Sequence, residues 1–194
     1  MASTKGRTGG MNLANRITIL RILLVPVFIA SLLYFSPERA YFYNVAVCIY
    51  LLACVTDGLD GYLARKMNEK TQLGSYIDPL ADKLLLLSGY LSLSLMTHLP
   101  EEMRMPAWVT LIVISRDVVI LAGSVIIFIA TGSLRAKPLF IGKITTVVQM
   151  AALLFSLLGV AWHLRVFMYF TASGFTLLSG ILYIRMGGQM FQEA

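Results

Sequence analysis

The chain has 194 residues, of which 58% are hydrophobic and 13% are charged, and its formal net charge is +6. Apolar segments long enough to cross a bilayer recur along its length, which excludes an ordinary soluble domain. The basic residues flank these segments and form no contiguous run, so the charge indicates contact with anionic lipid headgroups and no nucleic acid partner. Cys48 and Cys54 share one apolar segment, which argues against a structural disulfide or zinc site.

The apolar segments predict an all-α integral membrane protein with six transmembrane helices in the lipid bilayer. Residues 1–10 are polar and glycine-rich and are expected to be a disordered tail, and 11–194 are expected to form a single membrane domain. A short interfacial helix is expected at 11–17. The spans are predicted at 18–35, 40–65, 78–98, 106–131, 139–159 and 164–186.

The connecting segments alternate in charge. One side carries Lys5, Arg7, Arg65, Lys66, Lys70, Arg135, Lys137, Lys143 and Arg185. The other side carries only Arg39, Arg104 and Arg165. The positive-inside rule therefore predicts that both termini and the segment between spans two and three are cytoplasmic. The expected location is the bacterial inner (cytoplasmic) membrane, with the active site facing the cytoplasm.

Four aspartates stand between the second and third spans. Asp57 and Asp60 are three residues apart, and Asp78 and Asp82 are four apart, so each pair lies on one face of a helix. If the two helices fold back on each other, the four carboxylates converge. Uncompensated charges near a bilayer are costly, so a cation should hold them. Oxygen ligands without Cys or His indicate a hard divalent ion such as magnesium, manganese or calcium.

This stretch also has structural interpretations. Asp78 could cap a helix that has Pro79 at its first position. Gly74 alone could serve a turn, and Arg65 could anchor the chain at the membrane surface. Capping leaves the other three aspartates unexplained and is compatible with metal binding, because a carboxylate has several lone pairs. The metal site is therefore the favoured interpretation.

The pattern Asp57-x2-Asp60-Gly61-x2-Ala64-Arg65-x8-Gly74-x3-Asp78-x3-Asp82 matches the motif of the CDP-alcohol phosphotransferases in residue type and spacing. The opening MNLANRITILR and the order of apolar segments also resemble this family. The resemblance implies a six-helix homodimer that transfers the phosphoryl-alcohol part of a CDP-alcohol to a second alcohol and releases CMP. The implied CDP-binding residues are Gly61, Ala64, Arg65 and Gly74. The implied ligands of Mg²⁺ or Mn²⁺ are Asp57, Asp60, Asp78 and Asp82.

No histidine base or covalent nucleophile is expected. His98 and His163 stand at span ends across the membrane from the aspartates, and the apolar chain has no Ser or Cys elbow. Proton abstraction therefore falls to a carboxylate, and Asp82, the fourth aspartate of the motif, is the candidate catalytic base. Lys83 follows Asp82 and is expected to balance its charge.

Basic residues of the later spans are candidates for binding the second substrate. Arg116 has apolar runs on both sides. With Lys137 and Lys143 it could line a basic pocket for an anionic acceptor, because phosphate favours Arg and Lys donors. The alternative for Arg116 is an internal ion pair with Asp117.

The resemblance leaves two acceptors open, with CDP-diacylglycerol as donor. Overall likeness to the family's phosphatidylglycerophosphate synthases favours glycerol 3-phosphate. The segments ISRDVV at 114–119 and KPLFIGKITTVVQ at 137–149 instead resemble the family's cardiolipin synthases, which use phosphatidylglycerol. A divalent-cation transporter is the hypothesis of a different class. The acidic residues gather at one membrane face and do not form a path across the bilayer, which disfavours the transporter.

The predicted topology can be tested by cysteine accessibility after Cys48 and Cys54 are replaced. A cysteine at position 70 should react with a membrane-impermeant reagent only from the cytoplasmic side, and one at position 102 only from the outside, because positive loops stay inside. Labelling of position 70 from the outside with position 102 protected would reverse the orientation.

Overall fold

A computed structural model describes the backbone of residues 13–67, 72–131 and 140–192, and the side chains of 19–56, 83–126, 129 and 140–188 within them. These ranges form six α-helices and a short 3-10 turn at Pro37–Arg39. The helices are α1 Leu13–Leu33, α2 Tyr41–Met67, α3 Gln72–Leu95, α4 Ala107–Thr131, α5 Phe140–Leu157 and α6 Trp162–Gln192. The all-helical prediction is confirmed, and each helix overlaps one predicted span.

Two predicted helix boundaries are wrong. The helix α1 runs without a break from Leu13 to Leu33, so residues 13–17 belong to the first long helix and do not form a separate interfacial helix. The helix α3 begins at Gln72, so Asp78 lies inside it and does not cap its N-terminus. The Asp-Pro pair suggested a helix start because proline is favoured at the first helical position. A proline inside a helix costs one backbone hydrogen bond, and the long contact of α3 with α1 offsets that cost.

The helices form two groups of three. In one group α1 packs on α2 and α3, and in the other α6 packs on α4 and α5. The helix α3 joins the groups by contacting both α4 and α5, and α2 also contacts α5. The largest buried apolar side chains of the shared core are Phe28, Leu32, Tyr50, Tyr90, Leu93, Leu153, Leu157 and Tyr169. The helix α3 is therefore central to the packing.

The outer surface of the bundle is apolar. Within the described residues, three helical stretches are long and apolar enough to cross a membrane: Ala107–Ile126, Phe140–Leu157 and Trp162–Gly188. Three shorter apolar stretches are Ile19–Leu33, Tyr41–Thr56 and Lys83–Leu95. Each helix also exposes large apolar side chains, among them Leu23, Leu52, Leu95, Leu111, Phe140 and Phe167. This surface is consistent with a membrane protein; the six crossings and the orientation of the termini stay predictions.

Arg165 fastens the end of the bundle where α3 connects to α4 and α5 to α6. Its Nε donates a hydrogen bond to the carbonyl of Val160 at 2.8 Å. Its Nη1 donates to the carbonyls of Glu101 and Glu102, and its guanidinium lies 5.4 Å from the centre of the Trp162 ring. The side chain is buried, so Arg165 is a structural residue that ties two connections together.

The helices α3 and α5 approach each other closely at Gly89. A Cβ atom at this position would lie 2.4 Å from Cδ2 of Leu153, which is itself fully buried. The absence of a side chain at Gly89 therefore sets the distance between the two helices.

Replacement of Gly89 by Ala should destabilise the protein, because the fully buried Leu153 side chain would have to shift to admit the new Cβ. The expected loss in free energy of unfolding is about 1–3 kcal/mol, the usual effect of overpacking. Denaturant unfolding in detergent would measure it, with Gly174→Ala as the control, since a Cβ there meets nothing within 4 Å. Equal stability of the two variants would contradict the close approach.

Candidate active site

Two buried tyrosines align α2 and α3 along the bundle axis; height here means position along that axis. The Tyr50 hydroxyl donates a hydrogen bond to the carbonyl of Met150 at 2.9 Å. The Tyr90 hydroxyl donates to the carbonyl of Gln149 at 3.0 Å. Because these carbonyls are consecutive on α5, Tyr50 of α2 and Tyr90 of α3 lie at nearly the same height along the bundle.

From this height, the C-terminal part of α2 and the N-terminal part of α3 extend towards the same end of the bundle, so the two helices are antiparallel. Met67 is 17 residues beyond Tyr50, and Gln72 is 18 residues before Tyr90. Each stretch is about 25 Å of helix. Only residues 68–71 connect Met67 to Gln72, and such a connection spans at most about 18 Å. Helices that left in opposite directions would have ends roughly 50 Å apart, so α2 and α3 form a hairpin.

The hairpin carries the four motif aspartates at matching heights. Asp57 lies seven residues beyond Tyr50 in α2, and Asp82 lies eight residues before the tyrosine of α3. Both are therefore about 10–12 Å along the helix axes from the tyrosine level. Asp60 and Asp78 are further along, at about 15–18 Å. The backbone thus places the four residues at similar positions along the bundle axis, and the convergence of their carboxylates stays a prediction.

Metal coordination and nucleotide binding lie beyond what the described side chains test. All eight motif residues lie outside the set of described side chains: Asp57, Asp60, Gly61, Ala64, Arg65, Gly74, Asp78 and Asp82. Among the residues inside that set, no group of three or more His, Cys, Asp or Glu could hold a metal ion. Four carboxylates on one hairpin nevertheless fit Mg²⁺ or Mn²⁺, which prefer oxygen donors.

A charged network on α3 and α4 adjoins the hairpin. Lys83 Nζ donates to both carboxylate oxygens of Asp117, at 2.8 Å and 2.7 Å. Arg116 Nη1 donates to Oδ1 of the same carboxylate at 2.7 Å. The internal pair of Arg116 with Asp117 is therefore confirmed. Lys83, expected to balance Asp82, forms its described ion pair with Asp117 on another helix.

Hydrogen bonding independently aligns α4 with α3. Thr110 Oγ1 donates to the carbonyl of Tyr90 at 3.3 Å. Asp117 is seven residues beyond Thr110, and Lys83 is seven residues before Tyr90. Two turns in opposite chain directions cover the same distance, about 10 Å. The ion pair of Lys83 with Asp117 therefore lies at the height of Asp57 and Asp82.

Small residues surround the Arg116 side chain. Its Nη2 donates to the hydroxyl of Ser179 at 2.7 Å. A Cβ at Gly142 of α5 would lie 3.4 Å from Nη2, and one at Gly180 of α6 would lie 3.6 Å from Cγ. The side chain is 9% exposed. Its buried Nε has no hydrogen-bond partner within the part of the chain that the structure describes.

The other predicted residues have separate outcomes. Lys143 lies exposed in the first turn of α5, six residues before Gln149, which is about 9 Å towards the aspartate level. Lys137 lies outside the described residues. His98 follows α3 and forms a hydrogen bond with the carbonyl of Leu32 at 3.0 Å, and His163 is the second residue of α6. Both histidines are at the helix ends away from the network, as predicted.

Sequence reasoning missed Ser179 as a partner of Arg116 and Lys83 as a partner of Asp117. A serine in an apolar helix usually bonds to its own backbone, so Ser179 gave no distinct signal. The pairing of Lys83 with Asp117 joins residues 34 positions apart, and it depends on how α3 packs against α4. The seven-residue offsets from Tyr90 and Thr110 explain the pairing only once those two residues are known to meet.

Comparison with known proteins agrees with the motif. The family model described as CDP-alcohol phosphatidyltransferase matches residues 11–179. The chain belongs to this family. The match includes all eight motif residues, together with Lys83, Arg116, Asp117, Gly142 and Ser179. Membership of the CDP-alcohol phosphatidyltransferase family favours an enzyme over the divalent-cation transporter.

Relatives with more specific names are also similar to the chain. A probable phosphatidylglycerophosphate synthase of Mycobacterium tuberculosis (strain ATCC 25618 / H37Rv) is 39% identical over 112 residues, covering 58% of this chain and 51% of that protein. The CDP-diacylglycerol–glycerol-3-phosphate 3-phosphatidyltransferase of Bacillus subtilis (strain 168) is 35% identical over 150 residues, covering 73% and 74%. The cardiolipin synthase (CMP-forming) of Rattus norvegicus is 33% identical over 165 residues, covering 77% and 51%. The chain thus spans about half the length of the mycobacterial and rat proteins.

Proposed function

We propose that this CDP-alcohol phosphatidyltransferase transfers the phosphatidyl group of CDP-diacylglycerol to the hydroxyl of glycerol 3-phosphate, producing phosphatidylglycerophosphate and CMP. The observation that carries the proposal is the buried guanidinium of Arg116 beside the motif hairpin. Its Nε is a buried donor without a described partner. A buried hydrogen-bond donor is costly when it is unpaired, so we expect it to bind an anionic group of a substrate.

The position of Arg116 suits an acceptor phosphate. Arg116 shares the Asp117 carboxylate with Lys83, which directly follows the candidate base Asp82. A glycerol 3-phosphate held at Arg116 would carry its reacting hydroxyl a few bonds from its phosphate. Two anions at one metal cluster would repel, so a separate cation for the acceptor phosphate is required. We propose that Lys143, which is exposed, completes this basic pocket together with Lys137.

The reaction then needs one proton transfer and one exchange of bonds at phosphorus. Asp82 accepts the proton of the acceptor hydroxyl. The acceptor oxygen forms a bond to the phosphorus that carries diacylglycerol, and the bond from that phosphorus to the CMP oxygen breaks. The bonding electrons leave with CMP. Gly61, Ala64, Arg65 and Gly74 bind the CDP part, where small residues let the ligand approach the backbone.

Asp57, Asp60, Asp78 and Asp82 would hold Mg²⁺ or Mn²⁺. When bound, the ion supplies positive charge that neutralises the diphosphate and the CMP leaving group. Through a bound ion, the carboxylates of Asp57, Asp60 and Asp78 would orient CDP-diacylglycerol relative to Asp82. If Asp82 is also a ligand, its base strength depends on occupancy of the site.

A second acceptor is supported by one comparison. The rat relative named cardiolipin synthase (CMP-forming) is 33% identical over 77% of this chain. The alternative is therefore that the chain transfers the phosphatidyl group to phosphatidylglycerol. An assay of the purified protein with CDP-diacylglycerol and each acceptor in turn, scored for CMP and lipid product, separates the two. Product from neither acceptor would overturn the proposal.

Location and assembly are proposed together. The apolar outer surface of all six helices supports six transmembrane crossings in a bacterial inner membrane, with the hairpin site facing the cytoplasm. A homodimer is proposed from the family resemblance alone. Light scattering of the purified protein in detergent, corrected for bound detergent, would test it.

Replacing Asp57, Asp60 or Asp78 by Ala should abolish turnover while the protein still inserts and folds, because each change removes a metal ligand. CMP release with CDP-diacylglycerol and glycerol 3-phosphate measures the effect. EDTA should inactivate the wild type reversibly. Glu38→Gln, an exposed change at the 3-10 turn, is the control. Normal turnover of any of the three variants, without rescue by excess divalent ion, would count heavily against the site.

Arg116→Ala and Lys143→Ala should raise the KM for glycerol 3-phosphate much more than the KM for CDP-diacylglycerol. Loss of one charge-assisted hydrogen bond is worth ~1.5–3 kcal/mol, so acceptor use should weaken by roughly ten- to a hundredfold. Arg116→Lys should rescue only in part, because lysine lacks the planar fork of arginine.

Arg104→Ala is the matched control, since Arg104 forms an exposed pair with Glu101 at 3.2 Å near the other end of the bundle. Its KM values should equal those of the wild type. If both alanine variants also keep the wild-type acceptor KM, Arg116 serves only as the partner of Asp117 and the acceptor binds elsewhere.

A further inference from the structure

The Asp117 carboxylate holds two cations from different parts of the proposed site. Both of its oxygens accept from Lys83 Nζ, and Oδ1 also accepts from Arg116 Nη1. The carboxylate is 22% exposed, so solvent screens it only in part. With two positive charges and one negative charge, the network keeps a net charge of +1.

The contact between Arg116 and Asp117 is not a default of helix geometry. Adjacent residues on a helix point in different directions and do not face each other. The Arg116 side chain packs beside Gly142 and Gly180, and Ser179 accepts from its other terminal nitrogen. These contacts restrain the plane of the guanidinium, and its buried Nε has no hydrogen-bond partner among the described residues.

The contact with Lys83 acts on α3. Lys83 directly follows Asp82, so a restraint on Lys83 also restrains the helical turn that carries the candidate base. One carboxylate on α4 is therefore connected to the cation proposed for the acceptor and to the turn proposed for proton abstraction.

We propose that Asp117 is a positioning residue that sets Arg116 and the Asp82 turn relative to each other without touching substrate itself. The proposal rests on the function proposed above. It assigns separate effects to the two ion pairs of Asp117. The Arg116 arm is the ion pair with Arg116, and the Lys83 arm is the ion pair with Lys83. The Arg116 arm orients the guanidinium that binds the phosphate of glycerol 3-phosphate and therefore affects the KM for glycerol 3-phosphate. The Lys83 arm holds α3 against α4 and affects kcat.

For Asp117→Asn, a purely electrostatic effect predicts a change in the acceptor KM opposite to the one that positioning predicts. Asp117→Asn removes the only anion of this three-residue network and raises its net charge from +1 to +2. Simple attraction would then strengthen binding of an anionic acceptor and lower its KM. Positioning predicts a higher acceptor KM, because Arg116 loses the partner that fixes its plane.

The experiment measures both KM values and kcat for purified, full-length variants in detergent with CDP-diacylglycerol and glycerol 3-phosphate. Asp117→Asn should raise the acceptor KM by about tenfold and also lower kcat, with the donor KM within about twofold of wild type. Lys83→Met should lower kcat by about tenfold and leave the acceptor KM within about twofold. The double variant that combines Lys83→Met with Asp117→Asn should have the same kcat as Asp117→Asn alone, because Lys83 acts through Asp117.

Size-exclusion profiles and thermal unfolding establish that each variant is folded, and Glu101→Gln, which removes an exposed ion pair, is the control. If Asp117→Asn does not fold, Lys83→Met and Asp117→Glu carry the test. Asp117→Glu keeps the charge but moves the carboxylate by one methylene, so it should also raise the acceptor KM.

A lower or unchanged acceptor KM in folded Asp117→Asn, or in Asp117→Glu if the former fails to fold, overturns the proposal. An unchanged kcat in Lys83→Met overturns the Lys83 arm. These results are distinct from failure of the proposed function. In that case the wild type makes no product from glycerol 3-phosphate, or Arg116→Ala keeps the wild-type acceptor KM.

Discussion

The arrangement of the bundle depends on the need to pair polar groups inside an apolar interior. An unpaired hydroxyl in such surroundings loses its hydrogen bonds to water without compensation. The hydroxyls of Tyr50 and Tyr90 meet this need at consecutive carbonyls of α5. A shift of either helix along its axis would break the bond, whereas apolar side chains can slide past one another at lower cost. These two bonds therefore set the register on which the alignment of the aspartates rests.

Charged groups follow the same rule, with a different solution at each end of the bundle. Lys83, Arg116 and Asp117 compensate one another near the motif hairpin. Arg165, near the opposite end, binds backbone carbonyls and an aromatic ring. Burial of Arg116 and Arg165 is tolerated because each guanidinium has several partners. Of these two networks, the first includes a carboxylate and a guanidinium nitrogen without a hydrogen-bond partner among the described residues.

The sequence predicted the number and type of the helices because long apolar segments and their polar breaks are local properties. It predicted the motif residues because their spacing and the resemblance are also readable from the chain. The start of α3 was mispredicted at Asp78, where a local preference of proline for the first helical position gave way to tertiary packing. The roles of Lys83, Ser179 and Arg165 were not predictable, since each depends on a contact between segments distant in sequence. For Arg116 the sequence left two interpretations open; the structure shows its ion pair with Asp117, and acceptor binding stays a prediction.

Arg165 has a consequence for how the two ends of the molecule respond to their surroundings. Arg165 donates to backbone carbonyl oxygens, which do not titrate at any pH that a cell encounters. The described hydrogen bonds that join the α3–α4 and α5–α6 connections therefore use no acidic side chain as acceptor. A carboxylate in place of these carbonyls would lose its charge on acidification and weaken the contact with Arg165. The carbonyl acceptors keep their hydrogen-bonding capacity when the acidity of the surroundings changes.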